Sequence, residues 1–166
     1  RIIMQAAAKS LTKLTLELGR KSPNIIFADA NLKLAVPGAV RAVFYNMGEI
    51  CTAGSRLLVE ANIYEQVVAE VTQAAQKLKV GDPFTSDTEV GPLITAQHRD
   101  RVNHFIELGK QEGAHQCCGQ KVNLPGYFVA PTVFSHVQSN MTIAFEEIFG
   151  PVLTIQRFEN IDEAAT

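Results

Sequence analysis

Arg56-Leu57-Leu58-Val59-Glu60 is a short apolar run closed at both ends by charge and reads as a strand. An amphipathic helical pattern follows it over 62–79 and stops at Gly81-Asp82-Pro83. Upstream, Asn24-Ile25-Ile26-Phe27-Ala28 is a short apolar run of the kind that buried parallel strands show. Helical periodicity fills 31–46 between the two, with Pro37 expected to begin or kink a segment. Downstream, a second amphipathic helix fits 95–112 and halts at Gly113. Strands are then expected at 114–118, 127–133 and 151–156, with a last helix beginning after them. At the start, residues 2–10 are Ala-rich and helical in propensity, and Lys13-Leu14-Thr15-Leu16-Glu17-Leu18 alternates as a strand does before Gly19. Strands alternating with helices at this spacing predict an α/β fold with a mostly parallel open sheet flanked by helices. The stretch 119–126 is the most loop-like, and no internal repeat is present.

The 166 residues suffice for one ordinary domain burying roughly 70% of its unfolded surface. Apolar residues make up 46% and charged residues 19%, the balance of a globular chain. A net charge of -2 gives no electrostatic reason to expect nucleic acid or an anionic membrane as partner. Three cysteines, two of them adjacent (Cys117 and Cys118), make no disulfide framework and point to a reducing compartment, hence the cytoplasm or an organelle matrix. Without C-x-x-C or H-x3-H spacing, no metal site is expected, and His115 beside the two thiols reads as part of an ordinary apolar strand. The initial Arg1 and the final Ala-Ala-Thr suggest a piece of a longer polypeptide.

Two positions carry potential chemistry. Cys51 lies between Gly48 and Gly54, after a helical stretch and before a strand. Glycines there allow close approach of the backbone to a ligand, and backbone N–H groups beside an exposed thiol can receive an oxyanion. Packing as a small apolar residue is the competing reading. Glu17 closes an apolar alternation, where desolvation between leucines would raise its pKa toward that of a general base. An edge carboxylate facing water is the alternative. Taken alone, Glu147 reads as a solvated helix end, Phe149 as core, and Arg56 as structural.

Together the segments are more specific. Leu16-Glu17-Leu18-Gly19 with Lys21-Ser22-Pro23-Asn24 resembles the glutamate motif of the aldehyde dehydrogenase superfamily. Gly48-Glu49-Ile50-Cys51-Thr52-Ala53-Gly54-Ser55-Arg56 resembles its cysteine motif, 34 positions on from Glu17 to Cys51. Gly91-Pro92-Leu93 and Tyr127-Phe128-Val129-Ala130-Pro131-Thr132-Val133 are similar to its connecting segments, and Glu146-Glu147-Ile148-Phe149-Gly150-Pro151-Val152 to its cofactor-contacting motif. The resemblance implies that Cys51 attacks an aldehyde carbonyl to give a thiohemiacetal, that hydride passes to the nicotinamide of NAD or NADP, and that Glu17 activates the water that hydrolyses the resulting thioester. It further implies that Glu147 hydrogen-bonds the nicotinamide ribose, that Phe149 packs beside the nicotinamide, and that the Cys51 N–H forms half of the oxyanion hole. His98 and Arg101 would lie on a helix face approaching the cofactor. On this resemblance residues 1–19 end a cofactor-binding domain and 20–166 form a catalytic domain lacking its C-terminal part. A phosphate-binding turn is expected before Arg1, and the full-length protein is expected to be a homo-oligomer.

One departure from the pattern is Arg20, where the family's glutamate motif ordinarily has a second glycine; Glu49 stands where Gln is commoner. Arg20 keeps open a second reading, a non-catalytic fragment or relative serving as a structural or binding subunit. A thiol-dependent acyltransferase or esterase working without cofactor is a third. The identity of the aldehyde and the choice between NAD and NADP are not written in these residues.

Overall fold

The computed structural model describes residues 1–165. In chain order the elements are α1 (Ile2–Ala8), β1 (Pro23–Ile26), α2 (Leu32–Phe44), β2 (Arg56–Glu60), α3 (Tyr64–Gln76), α4 (Ala96–Gln111), β3 (His115–Cys118), β4 (Thr132–Ser135), α5 (Thr142–Phe145), β5 (Val152–Phe158) and α6 (Ile161–Ala164). The five strands make one sheet in the order β1-β2-β5-β4-β3. Every neighbouring pair is parallel except β3 with β4. The exception follows from the connection: the chain returns from Cys118 to Thr132 without a helix, and a parallel return needs a crossover. The α/β fold with a mostly parallel sheet is therefore as expected.

Period-two alternation divides the core between the faces. Val133, Leu153 and Ile155 join Leu57 and Val59 against α2 and α3, contributed by Val40, Val43, Val67 and Val71. Their neighbours Phe134 and Val152 face the other way, against Val102 and Ile106 of α4 and Ile143 of α5. Each such buried aliphatic or aromatic side chain contributes about 1.5–3 kcal/mol. Helices α2 and α4 start where a side chain satisfies one of their first N–H groups: the Asn31 side chain accepts from the Lys33 N–H, and the Thr95 hydroxyl accepts from the His98 N–H. Pro37 lies inside α2 on its exposed side.

Three expectations are corrected. The alternating segment 13–18 forms no strand, and residues 11–20 are all exposed. A strand is defined by the ladder it joins, and no described strand pairs with this segment. The strand expected over 127–133 begins only at Thr132, because Pro131 lacks an N–H and Tyr127 is engaged elsewhere, its carbonyl accepting from the Leu93 N–H. The helix read over 31–46 ends at Phe44, where the backbone turns left-handed at Asn46. No described helix is long and apolar enough to cross a membrane.

Candidate active site

Cys51 sits on a loop held firmly at both ends. Three consecutive residues take left-handed backbone angles, Asn46 at φ 48°, Met47 at 57° and Gly48 at 74°. Asn tolerates this locally, because its side-chain amide donates to the Glu49 carbonyl at 3.1 Å. The loop then closes a turn in which the Ala53 N–H donates to the Ile50 carbonyl at 3.1 Å, with Cys51 at the turn's first inner position. Gly54 N–H donates to the Ala42 carbonyl of α2 at 3.0 Å, and the Ser55 carbonyl accepts from both the N–H and the hydroxyl of Thr154. Between these anchors Cys51 is exposed and its thiol free. Neither its thiol nor its N–H has a hydrogen-bond partner among the described residues.

The segment after α5 runs beside this loop. Gly48 packs against the Gly150 backbone so closely that a methyl group at Gly48 would overlap the Gly150 carbonyl. Phe149 is left-handed at φ 60°, and its ring is 37% exposed. Three successive carbonyls here are held from α4. Arg101 donates one guanidinium nitrogen to Ile148 and the other to Glu147, the latter at 2.8 Å, while the His98 Nε2–H donates to the Phe149 carbonyl at 2.6 Å. The same Nε2 stands 3.4 Å from Oε1 of Glu49 on the cysteine loop. Glu49 also accepts from the Ile94 N–H at 3.4 Å. His98 and Arg101, expected on a face toward the cofactor, thus have their polar ends bound to the backbone of 147–149.

The glutamate motif meets the same segment through Gly19. Glu17 is exposed, and its flanking Leu16 and Leu18 are 39% and 64% exposed, so no apolar wall surrounds the carboxylate. No described contact joins it to Cys51. Two residues on, Gly19 lies against the Glu147 carboxylate, with room for a hydrogen and none for a methyl group. Arg20 is exposed and keeps an ordinary negative φ, so its backbone makes no demand for glycine. Arg56 Nε donates to Gln156 at 2.7 Å, the structural work expected of it.

Sequence reasoning missed Lys21. Its Nζ is shut off from solvent and has no hydrogen-bond acceptor. Burial, reinforced by the nearby positive charge of Arg56 and opposed by the attraction of Glu147, lowers its pKa to about 7. Only its place in the glutamate motif signalled it. At the far edge of the sheet, Cys117 Sγ is 3.2 Å from the Ser135 hydroxyl, and burial pushes the Cys118 thiol up to about 11. Among the described residues no group of three or more His, Cys, Asp or Glu side chains converges as metal ligands do.

An exposed thiol on a glycine-bounded turn thus lies beside a strapped Glu-Ile-Phe segment, the two leading into the neighbouring interior strands β2 and β5, an arrangement that known proteins share. The aldehyde dehydrogenase family model matches residues 1–166, and the chain belongs to that family. An aldehyde dehydrogenase of Emericella nidulans is 51% identical over 166 residues, covering 99% of this chain and 33% of the relative. Betaine aldehyde dehydrogenase of Bacillus subtilis is 46% identical (97% and 34% covered), and human retinal dehydrogenase 2 is 48% identical (98% and 32% covered). Among solved structures, the NAD+ complex of an aldehyde dehydrogenase from Bacillus cereus superposes with a TM-score of 0.95 at 44% identity, covering 98% of this chain and 33% of that one. The chain therefore spans about a third of the length of the relatives it matches.

Proposed function

We propose that this chain is the thiol-bearing part of an enzyme that oxidises an aldehyde to a carboxylic acid with NAD or NADP. The observation that carries the reading is the state of Cys51, an exposed thiol with an unengaged N–H, on a loop locked to the Glu147–Phe149 segment through Gly48, Gly150 and His98. A fixed nucleophile next to a free amide donor suits attack on a carbonyl, with the N–H receiving the developing oxyanion. Glu147 and Phe149 fit a nicotinamide nucleoside: a half-buried carboxylate without a protein hydrogen-bond donor can accept from ribose hydroxyls, and a partly exposed ring can cover an apolar heterocycle face. When bound, the cofactor supplies the hydride acceptor.

In this reading Cys51 holds the substrate first as thiohemiacetal and then as thioester, and Glu17, free to reach water, takes the proton of the water that releases the acid. Residues 1–19 are assigned to the end of the cofactor-binding domain and 20–166 to the thiol-bearing domain. The whole enzyme is proposed to be a homo-oligomer of the cytoplasm or an organelle matrix, acting on a small-molecule aldehyde, with neither nucleic acid nor membrane as partner. Trapping tests the reading: full-length protein mixed with aldehyde and NAD or NADP, quenched in acid and digested, should carry an acyl group on the peptide containing Cys51. Turnover with the acyl group on another residue, or with no acyl-enzyme in a Glu17→Gln variant, would overturn it.

A further inference from the structure

Lys21 and Glu147 carry opposite charges that act on each other, and neither has a hydrogen-bond partner for its charged end among the described residues. The ammonium of Lys21 is enclosed and without an acceptor, while the carboxylate of Glu147 is half-buried and without a donor. The main chain is fixed next to each of them. Arg101 grips the Glu147 carbonyl, and Gly19 presses on the carboxylate. Just past Lys21 the Ser22 carbonyl accepts from the Arg56 N–H at 3.3 Å, and Pro23 stands in register with Arg56 at the first rung of β1 and β2. Arg56 turns its guanidinium to Gln156, so its charge repels Lys21 without offering it a partner. Glu147 is the anion that favours the charged form of Lys21.

We propose that Lys21 is a positioning residue for cofactor binding: its ammonium attracts the Glu147 carboxylate from one side while Gly19 limits it on the other, and the carboxylate is thereby aimed at the ribose. This rests on the reading of Glu147 as the ribose acceptor. A positioning role of this kind predicts an effect on cofactor affinity and none on the chemistry of Cys51. It also predicts that removing the charge does not weaken the fold, since an unpaired buried ammonium is a burden to the folded state.

Lys21→Met, Glu147→Gln and the double variant, made in the full-length protein, test both layers. Glu147→Gln should raise the cofactor KM about tenfold. Assayed at pH 6, where Lys21 is charged, Lys21→Met should raise it about fivefold, with kcat within about twofold and Tm unchanged or higher. The double variant should be no worse than Glu147→Gln alone within about twofold, because each residue acts through the other. An unchanged cofactor KM in Glu147→Gln would overturn the ribose reading and this proposal with it. A raised KM in Glu147→Gln beside a normal one in Lys21→Met, or effects that multiply in the double variant, would overturn the role of Lys21 alone. Should Lys21→Met not fold, the titration of 13C-labelled Lys21 followed by NMR replaces it: Glu147→Gln should move the midpoint down, and an unmoved midpoint refutes the pairing.

Discussion

The α-carbon of Gly48 rests on the carbonyl of Gly150, so the cysteine loop and the Glu147–Phe149 segment meet backbone to backbone with no side chain between them. Gly48 also has φ 74°. Gly48→Ala should therefore cost about 1 kcal/mol for the left-handed backbone and more for parting the two segments. Thermal unfolding should register the loss, and turnover should fall with it. A variant as stable and as active as the parent would show that the contact is dispensable.

Cys51→Ala should abolish aldehyde oxidation by several orders of magnitude while leaving cofactor binding nearly intact, since covalent catalysis is lost and the ribose contacts are not. Calorimetric titration with NAD and NADP separates the two effects. Retention of a tenth of turnover would exclude Cys51 as nucleophile.

Thiol-reactive probes should rank the cysteines. Cys51 is exposed, whereas burial holds the Cys118 pKa at about 11, leaving very little thiolate at neutral pH. Iodoacetamide at pH 7.5 should label Cys51 first and Cys118 last, read by peptide mass spectrometry. Labelling of Cys118 as fast as Cys51 would mean that the sheet edge opens readily.

Lys21 should leave a mark on stability. Its folded pKa of about 7 lies below its ordinary 10.5, so between these values the unfolded chain binds more protons than the folded one. For this group, stability is lowest below pH 7 and rises as pH increases from about 7 to 10.5. The charged groups acting on it are Arg56, which favours the neutral amine, and Glu147, which favours the ammonium. Lys21→Met should flatten that rise in a denaturation series across pH 6–10. An identical slope in both proteins would place Lys21 in contact with water.

Glu17→Gln should separate the half-reactions. The amide keeps the shape of the carboxylate and takes no proton, so a burst of NAD(P)H should persist while steady-state turnover collapses. Normal steady-state deacylation would assign the base to another group.

How legible this was depended on the range of the interactions. The run at 56–60 announced β2 because burial on both faces leaves a local signature. The run at 24–28 announced only that a strand was there: β1 lies at the sheet edge and its Ile25 is 40% exposed, not buried on both faces as its apolar run suggested. The alternation at 13–18 was equally local, yet hydrogen-bond partners decide a strand, and this segment has none among the described residues. Cys51 stood out because its glycines are sequence neighbours. Lys21 did not, since the burial of a lysine leaves no local signature, and the charges that act on it, Arg56 and Glu147, are distant in sequence. The strapping of Glu147, Ile148 and Phe149 by His98 and Arg101 was hidden for the same reason. Of the left-handed series, only Asn46 and Gly48 gave a compositional hint; Met47 is a residue type that rarely adopts that conformation.

β5 enters the middle of the sheet although it is the last strand in sequence, and its register joins Arg56 to Thr154. During synthesis, then, β2 waits with one edge open while the next ninety or so residues leave the ribosome, a long contact that must close late. The Ser55 anchor beside Cys51 depends on Thr154, and the Gly48 anchor on Gly150. A nascent chain that has not yet emitted 150–158 therefore carries Cys51 on a loop held by its Gly54 contact to Ala42 but not yet by Thr154 or Gly150, and the thiol gains its full set of anchors once that segment has joined. Timing of translation past residue 158 sets how long that cysteine is open to oxidation or to pairing with another chain.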